Sequence, residues 1–363
     1  MEFQSTVRGM HKLIRRLRNF GHRLLHWEYW HYALIYYPLF PIWLFWSLRN
    51  RTLFFFNAVN PGFNYGGLTL ASKMDMYKAL PLGSYPQTIL WNPEEEASPG
   101  HIELRLRQSQ LKFPLILKPD MGYRGMGVKL IEDKQTLSRE LSSHQWSYLL
   151  QEYIPYTNEV GVFYVRRPGD SQGTVTGVVE KHFLKVVGDG QRSLEDLIDD
   201  QPRSRMQYNR LLQEYGYEAF QEILRQGEEK VLVPFGSHSR GAEFRDVSAR
   251  LSPAMLEAIQ AICDRMPGFY YGRLDILFKN WDSLLRGQNF KVIEVNGVAS
   301  EPTHIYDPEH SLFFAWKEII RHCALMERIA RANQARGCGF MSHREGRTML
   351  RQHRDLANFL QNI

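Results

Sequence analysis

Cysteine is scarce in this chain. Cys263, Cys323 and Cys338 are three among 363 residues, too few and too scattered for a disulfide framework or a zinc site, and they fit a reducing, cytosolic setting. Internal repeats and low-complexity tracts are missing, which excludes repeat architectures. No small-residue cleavage site follows the one long apolar run, which argues against a signal peptide. No nucleic-acid reading module is recognisable, so nucleic acid is not an expected partner despite a net charge of +6. Hydrophobic content of 44% and charged content of 23% are those of a folded protein, leaving disorder only for the ends.

Acidic residues are also missing where the basic ones gather. Arg8, Lys12, Arg15, Arg16, Arg18 and Arg23 precede Glu28 with no acid among them, and the tail at 328–354 is again rich in arginine. Basic ends around a near-neutral body suggest a polyanionic surface as partner. Residues 29–46, YWHYALIYYPLFPIWLFW, contain no formal charge. Their aromatic residues suit the headgroup level of a bilayer, but Pro38 and Pro41 break a helix near its middle. The expectation is an in-plane or re-entrant anchor on the inner face of the cell membrane, rather than a span. The alternative is that these rings pack onto the folded body.

Glycine, proline and asparagine then dominate a connector up to residue 99, interrupted by a helix predicted at 72–80, with a loop at 91–100. From residue 101 the periodicity alternates between strand and helix. Strands are predicted at 113–118, 128–131, 148–153, 160–165 and 174–187, and helices at 134–143, 193–199, 207–226 and 253–266. Two apolar strands follow at 270–278 and 290–298. The class is α+β, with antiparallel hairpins and helices packed on them.

Those last two strands carry oxygen donors where a core strand should carry none. Asp275, Glu294 and Asn296 form the ligand set of a hard cation, and Arg273 projects from the same strand face as Asp275. A buried ion pair of Arg273 with Asp275 or Glu294 explains the same residues structurally. Upstream, FPLILKPDMGYRGMGVKLI at 113–131 is strand, glycine-rich turn, strand. Lys118 ends its first strand, and Gly122, Gly125 and Gly127 permit close backbone approach to a ligand or simply a tight hairpin. A Walker loop would need Lys at 128 and Ser or Thr at 129, where Val128 and Lys129 stand. Gln151, Glu152, Tyr153 and Ile154 join two strands by a polar bend. Glu159 and Lys181 have ordinary readings as a solvated carboxylate and an ion-paired lysine.

Taken in order, the Lys-Pro strand end, the glycine hairpin, the Gln-Glu-Tyr-Ile linker, the strand lysine, Arg-x-Asp and Glu-x-Asn resemble the ATP-grasp superfamily over residues 72–322. Among its members, the chain resembles D-alanine:D-alanine ligase and the ATP-grasp region of cyanophycin synthetase. The resemblance implies two α+β subdomains whose antiparallel sheets clamp ATP. It implies Lys118 and Lys181 on phosphate, the hairpin with Gly122, Arg124, Gly125 and Gly127 over the phosphates, residues 151–154 along the adenine, and Glu159 on the ribose. Asp275, Glu294 and Asn296 would hold Mg2+ or Mn2+, with Arg273 on the transferred phosphoryl group. Lys73 is a weaker match to an early phosphate lysine. Arg240, in the cationic loop 237–248 with His238, would reach phosphate or a substrate carboxylate, while Glu301 and His304 would orient an amine or take its proton.

The implied activity is a carbon–nitrogen ligase joining a small-molecule carboxylate and amine through an acyl-phosphate, with a possible role in modifying cell-envelope, polysaccharide or lipid precursors. A kinase acting on a hydroxyl, or a non-catalytic nucleotide-binding membrane scaffold, are the alternatives. The expected organisation is an anchor at 1–56, a connector and reduced pre-ATP-grasp region at 57–100, an ATP-grasp domain at 101–322 and a basic helical tail at 323–363.

Overall fold

The computed structural model of the protein describes residues 2–68, 72–122, 127–143 and 146–360. Its helices are α1 (Glu2–Leu25), α2 (Tyr32–Tyr36), α3 (Phe40–Asn50), α4 (Lys73–Ala79), α5 (Pro99–Gln108), α6 (Lys134–Ser142), α7 (Leu194–Asp200), α8 (Pro202–Phe220), α9 (Pro253–Asp264), α10 (Trp281–Leu285), α11 (Leu312–Gln334) and α12 (His343–Leu360). Its strands are β1 (Thr88–Trp91), β2 (Leu115–Pro119), β3 (Lys129–Ile131), β4 (Tyr148–Glu152), β5 (Asn158–Val165), β6 (Thr174–His182), β7 (Leu184–Val187), β8 (Glu229–Val233), β9 (Glu243–Asp246), β10 (Tyr271–Phe278) and β11 (Phe290–Asn296). The chain forms two compact units. One comprises Met1–Leu39, Lys181–Asp246 and His304–Lys317, the other Phe40–Glu180, Val247–Thr303 and Glu318–Ile363.

In the larger unit β1, β4, β2 and β3 lie side by side in an antiparallel sheet. Its core is Trp91, Leu115, Leu117, Leu150 and the inward faces of α5 and α6. The loop expected at 91–100 ends early, because Ser98 accepts from the His101 amide and Pro99 occupies the first turn of α5. A second sheet places β11, β10, β5 and β6 next to one another in that order. Alternation along β5 and β10 gives this sheet two different faces. Val160, Val162, Tyr164, Leu274, Ile276 and Phe278 pack against α9 in one core. On the opposite face Phe163, Val165 and Tyr271 join a core with Phe54, Phe55, Phe56 and α11. The polar residues of interest occupy this second face, beyond its apolar end.

In the smaller unit β7 and β8 pair antiparallel, and Leu184, Val186, Leu197, Tyr208, Phe220 and Val233 form its core with α7 and α8. The predicted strand run 174–187 is two strands, β6 and β7, placed in different sheets. Glu28, buried beside α8, accepts from Arg203 Nη2 at 2.9 and 3.1 Å and bonds His238 Nε2 at 3.1 Å. Burial alone would raise the Glu28 pKa, and the His238 and Arg203 contacts outweigh it, so the carboxyl sits below its ordinary value.

The aromatic run 29–46 is broken into short helices and turns, as its prolines require. Part of it packs inward. Ile35 is buried and its carbonyl accepts from Trp316 at 2.9 Å in the smaller unit, and the Trp43 ring packs at a tilt against Phe55 with centroids 4.9 Å apart in the larger. Tyr32, Leu34, Tyr37, Phe40, Phe45 and Leu48 are exposed. Among the described residues no helix is long and apolar enough to cross a membrane.

Candidate active site

Four charged or amide side chains converge in the larger unit because β10 and β11 pair in one register. Arg273 stands opposite Asn296 and Asp275 opposite Glu294, with a bulge immediately after Asp275. Directly paired residues share a sheet face, so all four project together. Arg273 Nε donates to Asp275 Oδ1 at 2.8 Å and its Nη2 to Oδ2 at 3.1 Å, while Asn296 Nδ2 lies 3.4 Å from the same Oδ2. Burial disfavours the guanidinium charge, but Asp275, followed by Glu294 and Glu301, more than compensates and holds the Arg273 pKa above its usual range. Glu294 is half-buried and accepts no hydrogen bond from the described residues.

Room for this cluster comes from β5. Gly161 faces Asp275 across the ladder. A Cβ there would stand 3.0 Å from Arg273 Cδ and Val179 Cγ1 and 3.2 Å from Asp275 Oδ1. A glycine inside an otherwise apolar strand signals such close approach. The signal stands in the sequence as the glycine of EVGVFYV.

Lys118, at the end of β2, is buried and reaches the same region. Its Nζ donates to Tyr77 Oη at 2.7 Å, Gln151 Oε1 at 2.9 Å and the Ile293 carbonyl at 3.4 Å. Burial lowers its pKa to about 8, against the opposing pull of Glu294 and Asp120. Tyr77, on α4, also bonds the Ile293 carbonyl. Lys73, at the start of α4, donates to the carbonyls of Pro119, Asp120 and Gly122 at 3.1 to 3.2 Å. Burial again lowers its pKa, with Glu294 opposing and Lys118 reinforcing the shift. Asp120 accepts from Ser72 Oγ at 3.0 Å and the Met74 amide at 2.8 Å, which ties the glycine hairpin to the α4 N-terminus. Tyr77, Asp120 and Gly161 are members of this constellation that sequence reasoning did not single out.

Gly122 lies where the hairpin leaves β2. Gly127 has φ of +72°, and a Cβ on it would stand 2.9 Å from Pro119 Cγ, so glycine is required there. Arg124 and Gly125 fall outside the described residues. Gln151 is buried on β4. Its Oε1 accepts from Lys118, and its Nε2 donates to Thr88 Oγ1 at 2.7 Å. Glu152 is exposed and accepts from the Gln87 amide at 3.1 Å. The segment 153–157 crosses from β4 of one sheet to β5 of the other, with Tyr153 exposed and Ile154 buried. Glu159 is buried on β5, on the face of Gly161. Glu301 follows β11 after a turn in which the Ser300 amide bonds the Gly297 carbonyl at 2.9 Å.

Three expected site residues belong to the smaller unit. Lys181 is buried with Nζ 6.0 Å from the Phe244 ring centroid. Arg240 forms a two-pronged pair with Glu214 at 2.7 and 2.8 Å, and burial lowers its pKa. His304 is buried in the 3-10 turn Thr303–Tyr306, 6.1 Å from the Phe314 ring.

Two carboxylates and an amide oxygen on adjacent strands fit Mg2+, which takes one or two carboxylates and completes its shell with water and phosphate. Among the described residues no cluster of three His, Cys, Asp or Glu side chains competes for a softer metal.

A four-stranded antiparallel sheet, a glycine hairpin, and a second sheet bearing paired carboxylates define an α+β fold. Residues 85–166, which run from the start of β1 to the end of β5, match the RimK-like ATP-grasp domain. Among solved structures, D-alanine–D-alanine ligase from Bacillus anthracis aligns at 16% identity over 73% of this chain and 67% of its own, with a TM-score of 0.38. D-cycloserine synthetase DcsG aligns at 12% identity, 71% and 70% coverage and a TM-score of 0.40. The bifunctional glutathione synthetase from Pasteurella multocida aligns at 16% identity over 67% of this chain, which spans 36% of that enzyme, with a TM-score of 0.37. No curated protein matches in sequence.

Proposed function

We propose that this protein is an ATP-dependent carboxylate–amine ligase, and the observation that carries the reading is the Asp275–Glu294 pair facing across β10 and β11 beside Arg273, the buried Lys118 and the half-buried Lys73. Asp275, Glu294 and Asn296 would hold Mg2+ or Mn2+, which neutralises phosphate charge when bound. Lys118 on β2 and Lys73 on α4 supply further positive charge near Glu294. The glycine hairpin offers backbone amides to phosphate. Residues 151–154 are the proposed adenine linker and Glu159 the ribose contact.

A carboxylate oxygen of the substrate attacks the terminal phosphorus of ATP, the bond to ADP breaks, and an acyl-phosphate forms. An amine then attacks the acyl carbon, the carbon–oxygen bond to phosphate breaks, and an amide forms with loss of the amine proton. Arg273 stabilises the negative charge that develops in both steps. Lys181 and Arg240 are assigned to phosphate or carboxylate, and Glu301 and His304 to the amine and its proton. We place the reaction at the inner face of a membrane, on an envelope, polysaccharide or lipid precursor; the exposed apolar face of α1 supports this setting.

The test is ATP turnover against paired carboxylates and amines. A ligase releases ADP and phosphate only when both are present. Phosphate left on a hydroxyl acceptor would replace this reading with a kinase. Asp275→Asn and Glu294→Gln should each reduce turnover at least a thousandfold with folding intact, and unchanged function in both would indicate a scaffold instead.

A further inference from the structure

Helix α1 is attached to its unit the wrong way round for a soluble amphipathic helix. Such a helix ordinarily buries its apolar stripe and shows its charges to water. Here the polar side faces inward. The Arg15 guanidinium lies 3.2 Å from the centroid of the Tyr208 ring and its Nε bonds Asp199. Arg205 Nε donates to Asn19 Oδ1 at 3.0 Å, and His22 stacks on His26 and packs at a tilt against Tyr29. The opposite side carries Leu13, Ile14, Leu17, Phe20, Leu24 and Leu25, spaced to share one helix face. All six are exposed, Leu17 at 62%, Phe20 at 63% and Leu25 at 83%.

Lys12, Arg16 and Arg23 are also exposed. At 100° per residue they fall together along one edge of the apolar stripe, with Arg18 along the other. We propose that this face of α1 docks in the plane of a bilayer containing anionic lipid. Its apolar side chains would enter the acyl boundary while the flanking cations meet lipid phosphates. A second copy of the chain is a poorer occupant, because a self-complementary contact would bring the basic edges of two α1 helices together. Docking of α1 adds to the membrane contact expected within residues 1–56: Ile35 is buried and Trp43 packs on Phe55, but Tyr32, Leu34, Tyr37, Phe40 and Phe45 are exposed, and the α1 stripe is solvent-facing along its described length. It supports the membrane setting proposed above and does not depend on the ligase chemistry.

The experiment is flotation of the full chain with phosphatidylcholine vesicles, with and without about one-third phosphatidylglycerol, in the absence of ATP. Binding should be at least tenfold stronger to the anionic vesicles. Leu17→Glu with Phe20→Glu should abolish it, with unchanged circular dichroism and unchanged ATP turnover in vesicle-free solution. Leu24→Ser with Leu25→Ser provides a milder second variant. Arg16→Gln and Arg23→Gln should each weaken binding about fivefold, the effect of roughly 1 kcal/mol per basic residue at an anionic surface. Absence of binding to either vesicle, or equal binding by wild type and both apolar variants, overturns the proposal. Conversion of a dimer to a monomer by Leu17→Glu with Phe20→Glu, measured by light scattering without lipid, would assign the face to a second copy and overturn it as well. Because ATP turnover is read without vesicles, failure of the docking and failure of the ligase reading are separate results.

Discussion

Lys118 combines burial with a charge that the proposed ATP site would use. Its pKa of about 8 lies below the ordinary lysine value of 10.5. Between those two values the unfolded chain holds a proton that the folded protein has released. Its contribution to stability therefore rises with pH across that window and is least favourable below about 8. Nucleotide binding should respond in the opposite sense, because it uses the charged form. We expect affinity for ATP to fall by up to about tenfold per unit as pH rises above about 8, and Lys118→Met to remove that limb of a titration followed by calorimetry. Asp275 poses a different balance. Its carboxylate is the bidentate partner of a buried arginine, so Asp275→Ala should cost about 3 to 5 kcal/mol in urea unfolding. Asp275→Asn, which keeps an acceptor for Arg273, should lose far less stability while still losing turnover. Equal destabilisation by both would mean that the charge of Asp275, rather than its acceptor geometry, holds Arg273.

At the scale of elements, β5 decides whether β10 can carry its charged pair. Gly161→Ala would place a methyl group against Arg273, Val179 and Asp275, an overpacking cost of about 1 to 3 kcal/mol. Thermal unfolding should report that loss. Turnover at saturating ATP should fall further than stability alone explains, because the displaced atoms belong to Arg273 and Asp275. The β10–β11 ladder was readable in the sequence. Apolar alternation in YGRLDILF and FKVIEVN marks both as strands, and polar intruders at Arg273, Asp275, Glu294 and Asn296 mark their shared face. The facing of Asp275 on Glu294 was not readable, since it depends on a register interrupted by a bulge. Helix α5 was missed because WNPEEEASPG reads as a turn until Ser98 and Pro99 are recognised as its N-terminal cap and first turn.

At the scale of the whole molecule, nucleotide binding should couple to folding. Saturation at about a hundred times Kd adds roughly 2.7 kcal/mol to stability, so Mg2+ with a non-hydrolysable ATP analogue should raise Tm measurably. Chelating the metal should remove most of that shift. A shift that survives EDTA would count against Asp275, Glu294 and Asn296 as the metal-dependent part of the site. The division into two units also bears on function. Lys181, Arg240 and His304 lie in one, and Arg273, Asp275, Glu294, Asn296 and Lys118 in the other. Sequence order placed them all in one continuous catalytic region, because order along a chain contains no information about which segments separate.

The sequence by itself determined the class of the fold and the two strands that carry Asp275, Glu294 and Asn296. Strand periodicity, glycine placement and residue type are local properties that survive without coordinates. Tertiary structure alone decided that Lys73, Tyr77 and Asp120 join Lys118 around the start of the glycine hairpin, and that Gly161 makes space for Arg273 and Asp275. It also decided that α1 turns its apolar side outward. Amphipathic spacing in 13–25 specifies that a stripe exists, but which side of a helix meets the protein depends on its partners. Here the partners are Asp199, Arg205 and Tyr208, which lie far along the chain and bond the polar side.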